Sequence, residues 1–222
     1  MTERRPLLLA HRGRWRDAPE NSLEALVDGC RAPGLDGVEF DVRIAADGTP
    51  VVIHDEDLLR VQRIPRRVAD LGAEALARYG IPTLATVLAA LPRAAYLDIE
   101  LKEPPDLTTV EVIAAGRGPE LARAVVSSFD PAALRRLRDL APSWSRWLNA
   151  EEADEGTVRQ ALELGCDGLA VRWESIDEDV ARRVAQAGLE PAAWTVRRRE
   201  TVDWLGSLGV VAICVEGPAA GG

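Results

Sequence analysis

The chain has 222 residues, 47% apolar and 28% charged, the balance of an ordinary globular protein with a sizeable core. Its formal net charge of −9 argues against nucleic acid or an anionic membrane surface as the main partner. No apolar stretch approaches the roughly 18 residues of a spanning helix, so no transmembrane segment is expected.

Arg4 and Arg5 ahead of Leu7-Leu8-Leu9-Ala10 have the look of a signal peptide, but four residues are too few for its apolar core, and His11-Arg12-Gly13 interrupts them. The run reads instead as a first strand, residues 6–11. Further strand-like runs follow at 37–42, 95–102, 124–128, 144–149, 168–173, 191–196 and 210–215. Helical patterns between them cover 22–30, 83–91, 106–115, 131–140, 152–164, 176–187 and 199–208. Asn21 or Ser22, Asp130-Pro131 and Ser175 supply helix starts, and Gly165, Gly188 and Gly209 supply stops.

Eight strands alternating with helices predict a TIM (β/α)8 barrel, in a single domain over residues 1–222 with a flexible tail at 217–222. A doubly wound sheet usually announces a G-x-G-x-x-G turn, and none is present. Asp47-Gly48 between two apolar runs predicts a β-hairpin extending the second strand, whose return run 50–54 carries His54 back to the barrel mouth. Cys30, Cys166 and Cys214 are widely spaced in apolar contexts and read as buried free thiols of a cytoplasmic protein.

The polar residues at strand ends carry the chemistry, because barrel active sites form at the carboxyl ends of the strands. Glu39 and Asp41 lie two apart, as do Glu100 and Lys102, so each pair projects from one face of its strand. Three converging carboxylates would repel one another, and a hard divalent cation such as Mg²⁺ or Ca²⁺ relieves that cost. Ion pairs with Arg12, Arg43 and Lys102 explain any one of these carboxylates, and a cation explains the three together. His11 and His54 are the only histidines and suit proton transfer as base and acid. Lys102 is the single lysine among 27 basic residues. With Arg12 it offers cationic donors to a phosphoryl oxygen. Such a set fits in-line displacement at phosphorus.

His11-Arg12-Gly13, Pro19-Glu20-Asn21-Ser22, Gly37-Val38-Glu39-Phe40-Asp41-Val42, Asp47-Gly48 and Val51-Val52-Ile53-His54-Asp55 resemble, in that order, the glycerophosphodiester phosphodiesterase family. The similarity continues through Pro82-Thr83-Leu84, Ile99-Glu100-Leu101-Lys102, Ser128-Phe129 and Trp194-Thr195-Val196. It implies a metal-dependent TIM barrel that hydrolyses a small-molecule glycerophosphodiester to glycerol 3-phosphate and an alcohol, with Mg²⁺, Ca²⁺ or Mn²⁺ as cofactor. Carried over by position, His11 and His54 are the acid–base pair, and Glu39, Asp41 and Glu100 the metal ligands. Arg12 and Lys102 hold the phosphate, Trp194 walls the glycerol or leaving group, and Glu20 supports the metal shell or braces His11. A lyase ending at a cyclic phosphate and a non-catalytic glycerophosphate-binding barrel are the alternatives.

Two positions depart from the family pattern. Arg197 follows Trp194-Thr195-Val196 where asparagine is usual, and Glu216 ends the last strand where aspartate is usual. Neither belongs to the proposed metal or proton set, so both are expected to bear on substrate choice. Arg197, Arg198 and Arg199, with Arg172 on the same rim, suggest a positive collar for an anionic substrate, against a reading as salt bridges to Glu200 and Asp203. The segment 56–81 reads as a small lid with many arginines and little apolar mass, suited to small headgroup diesters.

Overall fold

The computed structural model describes residues 5–221. Arg4 of the N-terminal basic pair and Gly222, the last residue of the expected tail, lie outside the described residues. The elements run β1 (Leu7–His11), α1 (Leu23–Arg31), β2 (Gly37–Ile44), β3 (Pro50–Val52), α2 (Ala73–Ala77), α3 (Leu84–Ala90), β4 (Tyr96–Leu101), α4 (Leu107–Arg117), β5 (Ala124–Ser128), α5 (Pro131–Leu140), β6 (Arg146–Ala150), α6 (Glu155–Glu163), β7 (Gly168–Arg172), α7 (Glu178–Gln186), β8 (Glu190–Val196), α8 (Arg199–Ser207) and β9 (Ala212–Val215). Eight parallel strands pair in sequence, and β1 joins both β2 and β9, which closes the TIM barrel. β3 stands outside the ring, antiparallel to β2, with Val42 opposite Val52 and Ile44 opposite Pro50. The hairpin is the one expected at Asp47-Gly48, and Gly48 takes the left-handed backbone its turn requires (φ 79°).

Strand alternation sorts the residues into two environments. On β4, Leu97 and Ile99 face outward into an apolar layer with Leu84, Val87, Leu88 and Ile113 from α3 and α4. Residues on the opposite face look into the barrel. Its lower interior is filled by Val125, Trp147, Ala170, Ala192 and Ala212, one large indole among small side chains. Gly168 belongs to this arrangement, since a Cβ there would sit 2.4 Å from Trp147. The outer helices open on side-chain caps: Ser22, Thr83, Asp106, Asp130, Asp154 and Asp177 each accept a hydrogen bond from a first-turn amide. The start at Ser175 is corrected: residues 173–175 form a 3₁₀ turn, and Asp177 caps α7.

Three other expectations change. Residues 217–220, read as the start of a flexible tail, form a 3₁₀ turn, because Ala219 and Ala220 are small enough to bury beside Leu8 and Leu205. Cys166 and Cys214 are buried free thiols as expected, but Cys30 is only half-buried. The segment 56–81 has more apolar mass than its arginines suggest: Leu58, Val68, Leu76 and Ile81 pack with Ala45, Val51 and Ile53 into a separate small core. That core anchors the stretch next to His54.

The turn after β1 is tightly constrained. Arg12 (φ 58°) and Gly13 (φ 80°) are both left-handed, and a Cβ on Gly13 would meet the Ala25 carbonyl group at 2.5 Å. Gly13→Ala is therefore expected to lower stability by roughly 1–3 kcal/mol or more, from backbone strain plus the clash. Urea unfolding measures this, and an unchanged midpoint would contradict the account.

Candidate active site and metal centre

The upper interior of the barrel is polar and encloses a cavity of about 280 Å³. His11, Arg12, Glu39, His54, Asp98, Glu100, Lys102 and Trp194 all line it. Asp41 lies fully buried just behind them. One oxygen each from Glu39, Asp41 and Glu100 falls within 4.8 Å of the others, a spacing able to hold a metal ion. Parallel pairing produces this: β2 and β4 align Asp41 with Glu100, and β1 aligns His11 with Glu39.

Two cations sit among these carboxylates. Lys102 Nζ contacts Glu100 and lies 2.7 Å from Asp41 Oδ1. Arg12 approaches Asp41 Oδ2 at 3.3 Å through Nε, and its backbone amide donates to Glu39 Oε2 at 3.0 Å. Arg43, the third expected partner, turns away and donates to the backbone oxygen of His54 at 2.8 Å. Asn21 steadies the cluster, donating through Nδ2 to Asp41 Oδ2 at 2.8 Å while accepting from the Asp41 amide at 3.2 Å.

The carboxylates are nonetheless under-compensated. Burial, then the charges of Asp41 and Glu100, pushes the Glu39 carboxyl well above its ordinary range. Burial and the Asp41 charge lift Glu100 to about 7. Asp98 is also lifted to about 7, chiefly by burial, despite a 2.6 Å bond from Ser127 Oγ. Asp41 goes the other way: burial opposes its charge, but Lys102 and Arg12 outweigh it and hold the group well below the usual range. Glu39 Oε1 is buried without a hydrogen-bond partner. An orphaned acceptor in an all-oxygen, carboxylate-rich cluster suits a hard divalent cation.

Both histidines are backed by acids. His11 Nδ1 lies 2.5 Å from Glu216 Oε1, and its Nε2 is 3.8 Å from Glu39 Oε2. His54 Nδ1 lies 2.7 Å from Asp55 Oδ1. Glu20 does not touch His11. It binds Arg12 at 2.8 Å and Arg60 at 2.5 Å, and Arg60 in turn binds Asp55 at 2.7 Å. Trp194 donates to the Ala170 oxygen at 3.1 Å, and its ring meets Phe129 edge-on at 5.3 Å, forming an aromatic wall.

Arg172 pairs with Glu151 at 3.5 Å and Glu174 at 3.9 Å, and Arg199 with Asp203 at 3.6 Å. Arg197 binds Glu216 at 2.7 Å. Of the two readings of these arginines, pairing is met by Arg199 with Asp203, and Arg172 and Arg197 find acidic partners as well. Glu216 needs a correction of its own, since it reaches the proton set through His11. Sequence reasoning also passed over Asp98, Asn21 and Asp55. Asp98 was accessible by extending the two-residue step of Lys102 and Glu100 one position further down the strand.

A family model for the glycerophosphoryl diester phosphodiesterase family matches residues 11–220. The chain belongs to this family. It is 27% identical to a glycerophosphodiester phosphodiesterase of Caldanaerobacter subterraneus subsp. tengcongensis, over 96% of this chain and 94% of that one. Among solved structures, a phosphodiesterase of Oleispira antarctica in complex with the product sn-glycerol-3-phosphate superposes with a TM-score of 0.83 at 26% identity, covering 95% of this chain and 92% of that one. A glycerophosphodiester phosphodiesterase of Thermotoga maritima gives 0.80 at 25% identity, covering 96% and 95%. Family membership makes the chain a phosphodiesterase. No helix among the described residues is long and apolar enough to cross a membrane.

The carboxylates set the pH response of the metal-free protein. Glu39, Asp98 and Glu100 keep their protons in the folded state above the pH, about 4, at which the unfolded chain releases them. Their contribution is full below about pH 4; that of Asp98 and Glu100 is lost as pH rises through about 7, and that of Glu39 as pH rises through its own raised value. Asp41 is ionised in both states above about pH 5 and adds nothing to the trend there. His54, lowered chiefly by burial, opposes the trend below the ordinary imidazole value of about 6.5. With three groups against one, Tm in EDTA should fall from about pH 5 to about pH 8 by calorimetry. Added Mg²⁺, Mn²⁺ or Ca²⁺ should raise Tm more at the higher pH, because the cation competes with protons. A Tm in EDTA that is flat or rising would contradict this electrostatic account.

Proposed function

We propose that the enzyme hydrolyses glycerophosphodiesters to glycerol 3-phosphate and an alcohol, using His11 and His54 for proton transfer and a divalent cation held by Glu39, Asp41 and Glu100. One observation carries this reading: the three-carboxylate cluster and the chain's only two histidines meet around a single cavity. The product in the Oleispira relative supports glycerol 3-phosphate as the product here. When bound, the cation supplies Lewis-acid charge against the negative charge that gathers on the phosphoryl group.

The chain's own residues do the rest. Lys102 is a compact ammonium able to swing a donor from Asp41 or Glu100 to a phosphoryl oxygen. Arg12 is held at both ends by Glu20 and Asp41, which fixes the direction its guanidinium presents to the phosphate. Because each histidine commits Nδ1 to a carboxylate, Nε2 is the nitrogen left to exchange a proton with the attacking or departing oxygen. The Trp194–Phe129 wall gives an apolar face to the glycerol or the departing alcohol. On the far side of His54, a cleft of about 520 Å³ lined by Glu20, Asp55, Arg60 and Tyr79 leaves room for a small headgroup.

A matrix of Mg²⁺, Ca²⁺ and Mn²⁺ against glycerophosphocholine, -ethanolamine, -glycerol and -inositol tests the proposal. His11→Ala and His54→Ala should each lower metal-dependent kcat by at least about 10²-fold. Phosphorus NMR should show glycerol 3-phosphate as the end product, whereas a stable cyclic phosphate would favour the lyase. Absence of turnover with every metal and diester would favour the binding barrel. Lys102→Arg should cost about 10- to 10²-fold in kcat/KM, since the planar fork cannot replace a point charge between two carboxylates. Full kcat/KM in that variant would remove the special role of the ammonium.

A further inference from the structure

His11 is tied to the far end of the chain. Glu216, immediately after β9, meets His11 Nδ1 with Oε1 at 2.5 Å. Its other oxygen accepts from Arg197 Nε at 2.9 Å and lies 2.7 Å from Arg197 Nη2. The ends of β1, β8 and β9, neighbours in the closed ring, thus converge on one carboxylate that is only 9% exposed. The two positions where the sequence departs from its family's usual residues are therefore partners in one ion pair.

The chemistry of this contact is restrictive. An ionised carboxylate only accepts, so Nδ1 must carry a proton whenever the contact is made. The proton that comes and goes then belongs to Nε2, the nitrogen nearer Glu39. A neutral imidazole free in water favours the other arrangement, with its hydrogen on Nε2, so the ring needs an external acceptor to hold the useful form. His54 repeats the device: Asp55 holds its Nδ1, and Arg60 donates to the second oxygen of Asp55 at 2.7 Å. Two histidines with the same carboxylate and arginine backing, built from unrelated parts of the chain, mark a designed constraint.

We propose that Glu216, clamped by Arg197, is a positioning residue that holds His11 in its Nδ1–H form and so turns Nε2 to the cavity as the proton-exchanging atom. This rests on the acid–base reading of His11 given above. Glu216 and Arg197 act through the ring and not on the substrate.

The chain's two histidines make nitrogen NMR a direct test in the full-length protein labelled with ¹⁵N-histidine, with His54→Gln assigning the signals. At alkaline pH the wild type should show His11 protonated on Nδ1. Glu216→Ala should move it towards the Nε2–H form and lower kcat about 10²-fold, with KM little changed. Glu216→Gln gives the same test without loss of bulk, because its amide can donate to Nδ1 as readily as accept, and should produce a mixture of forms. Glu216→Asp combined with Arg197→Asn should restore the Nδ1–H signal and most of the activity. An Nε2–H form in the wild type, or an unchanged Nδ1–H signal in Glu216→Ala and Glu216→Gln, would overturn the proposal. A form that follows Glu216 while kcat holds would retain the positioning role and remove His11 from proton transfer, so the two readings fail separately.

Discussion

Four carboxylates, those of Glu39, Asp41, Asp98 and Glu100, are buried together at one end of a closed barrel, with Arg12 and Lys102 as the cations among them. Two cations do not balance four carboxylates, and the raised groups record the deficit. A hydrophobic core could be built more cheaply from the same strands, so the arrangement makes sense as a site whose charge is completed from outside. In the proposed mechanism a divalent cation makes up that difference, and the phosphodiester anion then meets a centre no longer dominated by negative charge. The Lys102 contacts belong to the same logic, because its ammonium is a mobile donor within a cluster of acceptors.

The barrel lets such crowding coexist with a well-packed outer layer. Alternate residues of β2 and β4 face outward into an apolar layer, so the acidic residues cost nothing in helix packing. Below them, Trp147 with Val125 and three alanines fills the barrel interior beneath the cavity. Phosphodiester chemistry is thereby confined to the carboxyl ends of the strands, where the hairpin can return His54 and the turn at Gly13 can present His11 and Arg12.

The barrel, its hairpin and the main polar set were legible in the sequence because they follow periodic rules. Strand alternation placed Glu39 with Asp41 and Glu100 with Lys102, and Asp47-Gly48 announced the hairpin. Residues whose roles depend on ring closure were harder to read. Glu216 is 205 positions from His11, and only the pairing of β1 with β9 brings them together. Asn21 was visible within a motif, but its grip on Asp41 depends on how the turn before α1 folds over β2. The arginine run carried two readings, a collar or salt bridges to Glu200 and Asp203; the Arg199–Asp203 pair was legible from its four-residue spacing, whereas the Arg197–Glu216 pair depends on β8 and β9 lying side by side. The apolar residues of 56–81 were scattered in sequence and became a core only once β3 supplied Val51.

Pairing on the rim changes how substrate attraction should be understood. The protein carries a net charge of −9, and Arg172, Arg197 and Arg199 are each matched by a nearby acid. The Arg172 and Arg199 pairs are exposed, worth little to stability and leave little outward field, particularly when salt screens them, while Arg197 is committed to the buried Glu216 carboxylate. An anionic diester approaching this surface therefore gains little from the rim. Its binding must draw on short-range contacts inside the cavity, where the dielectric is lower and each donor counts for more. In the proposed mechanism the burden of recognition falls on Lys102, Arg12 and the carboxylate cluster once a cation completes it. On that proposal an acidic enzyme can serve an anionic diester because the attraction would be built into the barrel mouth, where loss of the cation would remove it, and not spread over the surface.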